Sequence, residues 1–154
     1  MSAAHLQQYL VNQVNSASPE ELLVMLYNGA IRFLTEAEVA MEEGQVAQQG
    51  MLIGRAIDIV NELSATLDHG IGGQIAANLE ALYAYMTREL LQANLKDDHK
   101  RLQVVREMLL DLRDTWLQAI EQVHVQRASE DKGVRAKSGA GSVPSQHSTA
   151  LQGY

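Results

Sequence analysis

Apolar side chains return every three or four residues along most of this chain, the spacing that gathers them on one face of an α-helix. Leu22, Leu26, Gly29, Ala30, Phe33, Ala37 and Met41 follow it in a run that opens at Ser18-Pro19-Glu20-Glu21 and ends near Gly44. That opening carries its own start signal. Ser18 is placed to cap, Pro19 sits at N1 where its missing N–H costs nothing, and Glu21 at N3 can reach back to the Ser18 amide. A second run over about 45–67 carries Ile53, Ala56, Ile57, Val60, Leu63 and Leu67. A third, about 74–95, carries Ile75, Leu79, Leu82, Tyr83, Met86, Leu90 and Ala93. A fourth, about 98–125, carries Leu102, Val105, Leu109, Leu112, Trp116, Ala119, Ile120 and Val123. Asp68-His69-Gly70-Ile71-Gly72-Gly73, between the second and third, is too glycine-rich to continue a helix. No period-two stretch predicts a strand. Four amphipathic segments with short connections predict an all-α protein, an antiparallel four-helix bundle.

Two stretches lie outside that pattern. Residues 1–17 form an apolar N-terminal segment in which His5 to Val11 predicts one or two helical turns. Residues 127–154 are rich in Ser, Gly, Gln and Ala, with almost no large apolar side chains to offset the entropy of ordering them. The predicted organisation is therefore a segment at 1–17, a bundle at 18–126 and a disordered tail at 127–154.

Composition narrows the function classes. With 154 residues, 46% of them hydrophobic, the chain suits a single globular domain. It has no cysteine, which removes disulfides, thiolate metal sites and a cysteine nucleophile. Nothing resembles a secretory signal or a membrane span of roughly 18 apolar residues, so a cytosolic protein without membrane insertion is expected. Of the net charge of −7, residues 127–154 contribute +2, leaving −9 on the rest. A body that acidic repels phosphate backbones and argues against nucleic acid as partner.

Sites for chemistry are sparse. A di-metal centre in a bundle needs two Glu-x-x-His pairs, and the chain has one, Glu121-Gln122-Val123-His124, at the end of the last run. The glycine loop fails G-x-G-x-x-G because Ile75 stands at the third glycine and no strand precedes it. His69, His99 and His124 fall in a loop, a helix start and a helix end, unlike a phosphotransfer histidine displayed mid-helix. The sequence thus predicts no enzyme, no cofactor and no metal ligands.

What the pattern does offer is surplus apolar surface. At 100° per residue the second run sweeps about 160°, where a bundle helix needs little more than 100°. Leu52, Ala56, Ile59 and Leu63 form one stripe; Ile53, Ile57, Val60 and Leu67, with Asn61 and Ser64 alongside, form another. The surplus fits either a helix wedged between two neighbours or a groove for a partner's amphipathic helix.

Several motifs resemble one family. Ser16-Ala17-Ser18-Pro19-Glu20-Glu21-Leu22-Leu23-Val24-Met25-Leu26-Tyr27-Asn28-Gly29-Ala30 is similar to the opening of the flagellin-specific export chaperones. So are Gly54-Arg55-Ala56-Ile57-Asp58-Ile59-Val60-Asn61-Glu62-Leu63, the stretch Gly72-Gly73-Gln74-Ile75-Ala76-Ala77-Asn78-Leu79, and Leu90-Leu91-Gln92-Ala93-Asn94-Leu95. The resemblance runs from about residue 6 to 125. It implies a cytosolic bundle that binds the disordered C-terminal segment of flagellin, prevents its polymerisation and helps deliver it to the flagellar type III export gate. On that footing Ile53, Ile57, Val60, Asn61, Ser64 and Leu67 are the expected client contacts. The family's N-terminal gate-docking residues fall on Leu6 and Tyr9. The competing expectation is a helical adaptor that buries the same stripe in a homodimer.

Overall fold

The computed structural model describes residues 4–5 and 18–152, with side chains described through residue 136. Four long helices account for it: α1 (Pro19–Glu42), α2 (Val46–Ala65), α3 (His69–Lys96) and α4 (His99–Gln152). No strand occurs among the described residues. Connections of two or three residues force each helix to turn back on the last, which makes sequential neighbours antiparallel. The chain divides into two compact units, 1–116 and 117–154. The bundle core lies in the first.

Helix α1 begins as its sequence directs. Ser18 Oγ accepts from the Glu21 amide at 3.2 Å, the Ser18 amide donates to Glu21 Oε2 at 3.4 Å, and Pro19 occupies the first turn. The buried face of α1 is Tyr27, Ala30, Leu34, Ala37 and Ala40. That is a stripe rotated slightly from the expected one, so Leu22, Leu26, Phe33 and Met41 are only half-buried.

Helix α2 packs against both α1 and α3, and this double contact absorbs its surplus apolar surface. Leu52, Ala56 and Leu63 of one stripe are buried, and so are Ile53 and Val60 of the other. Of the bundle part of α4, Leu102, Val105 and Leu109 complete the core. It pairs with α1 in antiparallel register, Glu42 meeting His99, Glu38 meeting Arg106 and Asn28 meeting Arg113.

The two ends of the bundle differ. At one, residues 43–45 and 97–98 turn the chain, and side chains cross between helices to hold it. Gln49, fully buried, donates to Asn94 Oδ1 at 3.1 Å and to Asp97 Oδ1 at 2.9 Å. Asp97 takes the left-handed conformation there (φ 50°), which a short polar side chain tolerates best after glycine. We refer to this as the closed end. The other, open end holds the 66–68 connection, the start of α1 and Trp116.

Residues 117–154 form the second unit. Its backbone is helical to Gln152, and every described side chain from 121 to 136 is exposed. The helix is therefore one of backbone hydrogen bonds without a core of its own, and a lone helix of that kind is marginal in water. The inference that the tail buries no apolar surface holds for its described side chains.

Candidate functional site

At the open end the glycine segment shapes the surface. Asp68 caps α3, its Oδ1 accepting from the Ile71 amide at 3.0 Å. The expected stop is instead one helical turn, because His69 to Gly72 are helical before Gly73 breaks the axis at φ 50°, ψ −123°. That conformation belongs to glycine, since a side chain would collide with its own backbone. Gly72 is equally constrained: a Cβ there would lie 2.9 Å from that of Ala76. His69 Nε2 sits 3.0 Å from Glu80 Oε2, tying the first turn back to the helix beyond the break.

The break turns two β-branched residues outward. Ile71 is 89% exposed and Ile75 69% exposed, although the sequence periodicity assigns Ile75 to the core. Beside them lies a cavity of about 250 Å³ lined largely by apolar side chains, among them Leu23 of α1, Leu67, Leu79, Tyr83 and Trp116. A concave apolar surface rimmed by exposed isoleucines, in a chain of charge −7, is the kind of patch that marks a binding site.

The floor of this groove is polar only where it is satisfied. Trp116 Nε1 donates to the Tyr27 hydroxyl at 3.0 Å, and the Tyr27 and Tyr83 hydroxyls are 2.5 Å apart. Burial raises the pKa of both phenols; for Tyr27 its two hydrogen bonds offset part of that rise, while for Tyr83 the bond to Tyr27 adds to it. The three rings are thus linked by hydrogen bonds and form a neutral base.

Of the six residues expected to meet a client, Leu67 alone lines this cavity. Ile53 and Val60 are 1% and 0% exposed and belong to the core. Both stripes of α2 contribute buried residues to a helix packed against two neighbours. Ile57 is half-buried and packed on the core, Ser64 is half-buried and Asn61 exposed. Leu6 and Tyr9 lie outside the described residues. Sequence reasoning missed Leu23, Ile71 and Tyr83 as groove residues. The two adjacent glycines were the available signal, since they mark where the helix axis can change direction.

A further polar group crosses α1 and α4 near the closed end. Glu38 is held by Arg106 and by Gln103 Nε2 at 3.0 Å, and His99 Nε2 stands 3.2 Å from Glu38 Oε1 and 2.9 Å from Glu42 Oε1. Nothing in this geometry supplies a nucleophile beside a base. No helix among the described residues is long and apolar enough to cross a membrane.

Residues 1–123 match the family model described as flagellar protein FliS. The flagellar secretion chaperone FliS of Salmonella typhimurium is 41% identical over 116 residues, covering 75% of this chain and 86% of the relative. That of Bacillus subtilis is 40% identical over 113 residues, 73% and 84% of the two chains. A crystal structure described as a flagellar chaperone from bacteria superposes with a TM-score of 0.64 over 77% of this chain and 97% of its own, at 19% identity. That likeness extends to the fold.

Proposed function

The chain belongs to the flagellar protein FliS family, and from that premise we propose that it is a flagellar secretion chaperone whose client is the C-terminal segment of flagellin. Relatives named as flagellar secretion chaperones support a client of this class, and the open-end groove flanked by Ile71 and Ile75 supports a seat for it at that end. A secreted subunit that later packs helix on helix carries an apolar stripe which would otherwise drive polymerisation before export. Seating that stripe in the groove gains about 25 cal/mol per Å² of apolar surface buried, less the cost of ordering the client. Binding of this kind needs no nucleotide and no bond chemistry, in keeping with relatives named as chaperones. It takes place in the cytosol, before the client reaches the export gate.

Leu67 forms part of the wall, and Ile57, Asn61 and Ser64 continue from it at helical spacing along the less buried face of α2. Ile53 and Val60 support that face from beneath. Leu6 and Tyr9 are assigned to the second partner, the export gate, and deleting residues 2–15 is expected to lower flagellin secretion while client binding persists.

The test is Ile75→Asp combined with Leu67→Asp, assayed by calorimetric titration with a flagellin C-terminal peptide. Loss of binding with an unaltered thermal melt supports the groove. Binding at wild-type strength sinks it. A wild-type chain that is a dimer in solution, and turns monomeric in the double variant with no affinity for the peptide in either form, would establish the adaptor reading instead.

A further inference from the structure

The closed end carries a cluster that client binding leaves unused. Glu38 and Glu42 are four residues apart on α1 and share a face, while His99 opens α4 and meets both. His99 Nε2 lies 3.2 Å from Glu38 Oε1 and 2.9 Å from Glu42 Oε1, and the three atoms lie within 4.8 Å of one another. A ring nitrogen carries at most one proton, yet two carboxylate oxygens converge on this one. Such an arrangement can hold a cation between the two helices.

Its dimensions suit a metal. Ligand atoms about 2.0–2.2 Å from a tetrahedral zinc stand roughly 3.4 Å from each other, close to the separations from Nε2 found here. The donor set of one imidazole and two carboxylates favours zinc and its transition-metal neighbours over magnesium or calcium, which prefer all-oxygen shells. Glu38 is positioned before any ion arrives. Its side chain is 13% exposed, Arg106 holds Oε2, and Gln103 reaches Oε1 at 3.0 Å. Outer partners of this sort fix the orientation of a ligating group. Glu42, whose side chain is 58% exposed, has the freedom to swing outward and admit the ion.

We propose that Glu38, Glu42 and His99 form a zinc site that clasps the end of α1 to the start of α4, with water as the fourth ligand. The ion replaces the proton on Nε2, neutralises both carboxylates and adds a cross-link between helices otherwise joined here by Arg106 and Gln103. No spacing rule exposes such a site in the sequence, because its histidine is 57 residues from the nearer glutamate.

The experiment uses the full chain stripped of metal with a chelator. Zinc chloride is titrated by calorimetry, cobalt(II) binding is followed by its visible absorption, and thermal melts are recorded with and without zinc. The expected result is one equivalent bound, a tetrahedral cobalt spectrum and a raised melting temperature. His99→Ala and Glu42→Gln each abolish all three, whereas His69→Ala, which alters the histidine beside Glu80 at the open end, leaves them intact. Should His99→Ala fail to fold, the exposed Glu42→Gln decides. A protonated His99 bridging the two carboxylates accounts for the same distances without a metal, and it predicts no stoichiometric zinc binding and no effect of zinc on the melt. That outcome, or zinc binding that survives both ligand variants, overturns the proposal.

Discussion

The open and closed ends of this bundle are made from the same four helices but satisfy themselves differently. At the closed end, Gln49 reaches Asn94 and Asp97, Arg101 pairs with Glu89 at 2.5 Å, and Glu38 is gripped by Arg106 and Gln103. Every one of these contacts joins residues distant in sequence, and each uses up a polar group. At the open end, Gly73 breaks α3 and leaves Ile71 and Ile75 facing water beside an apolar cavity. One end has already paired its groups within the chain. The other retains apolar surface whose burial would release hydrophobic free energy. Under the proposed function a chaperone gains from this division, because the end that holds the fold together is separate from the end that would seat the client.

The largest effect that separates the ends comes from Gln49→Ala. It removes the one buried polar side chain among the described residues and leaves its acceptors to find other partners, at about 1–3 kcal/mol. Denaturant titration is expected to show that loss with client affinity unchanged. If affinity falls along with stability, the two ends are coupled and the division fails. Ser18→Ala acts at the open end and removes half of a capping box, costing about 1 kcal/mol. Because it shortens no wall of the groove, peptide affinity is expected to stay within experimental error of the wild type, and a large drop would place Ser18 in contact with the client.

A smaller effect lies in the aromatic floor. Burial raises the Tyr27 and Tyr83 pKa values, so both phenols stay neutral in the folded state when the unfolded chain begins to ionise near pH 10. The unfolded state then binds fewer protons than the native one, and stability falls as pH rises beyond that point. Below about pH 10 the two tyrosines contribute no slope. Tyr83→Phe is expected to flatten the alkaline decline in melts between pH 9 and about 11, and an unchanged slope would assign the decline to other groups.

Much of this architecture is legible in the sequence, for reasons that also set the limit. Ser18, Pro19 and Glu21 specify a helix start through contacts three residues apart, and the structure places those contacts where local chemistry requires. Leu102, Val105 and Leu109 follow the helical period into the core. Periodicity reports how wide an apolar arc is, but not how many neighbours share it. Ile53 and Val60 therefore read as surplus on α2 until that helix is seen packed against two neighbours. Tyr27 escaped notice because its hydroxyl is tolerated in the core only through Tyr83 and Trp116, 56 and 89 residues away. Ile75 keeps the helical period and is exposed all the same, since Gly73 changes the direction of the axis just before it. Local chemistry could be read directly, and contacts between distant helices could not.

The division between the ends is tested most directly by hydrogen exchange on the full chain, with and without a flagellin C-terminal peptide. Added peptide should slow exchange in residues 66–79 and in the first turns of α1, the segments that wall the groove. Residues 42–51 and 89–101, already locked by their own side chains, should exchange at the same rate in both samples. Protection confined to those closed-end segments, with 66–79 unchanged, would contradict the account and move the client to the other end of the bundle.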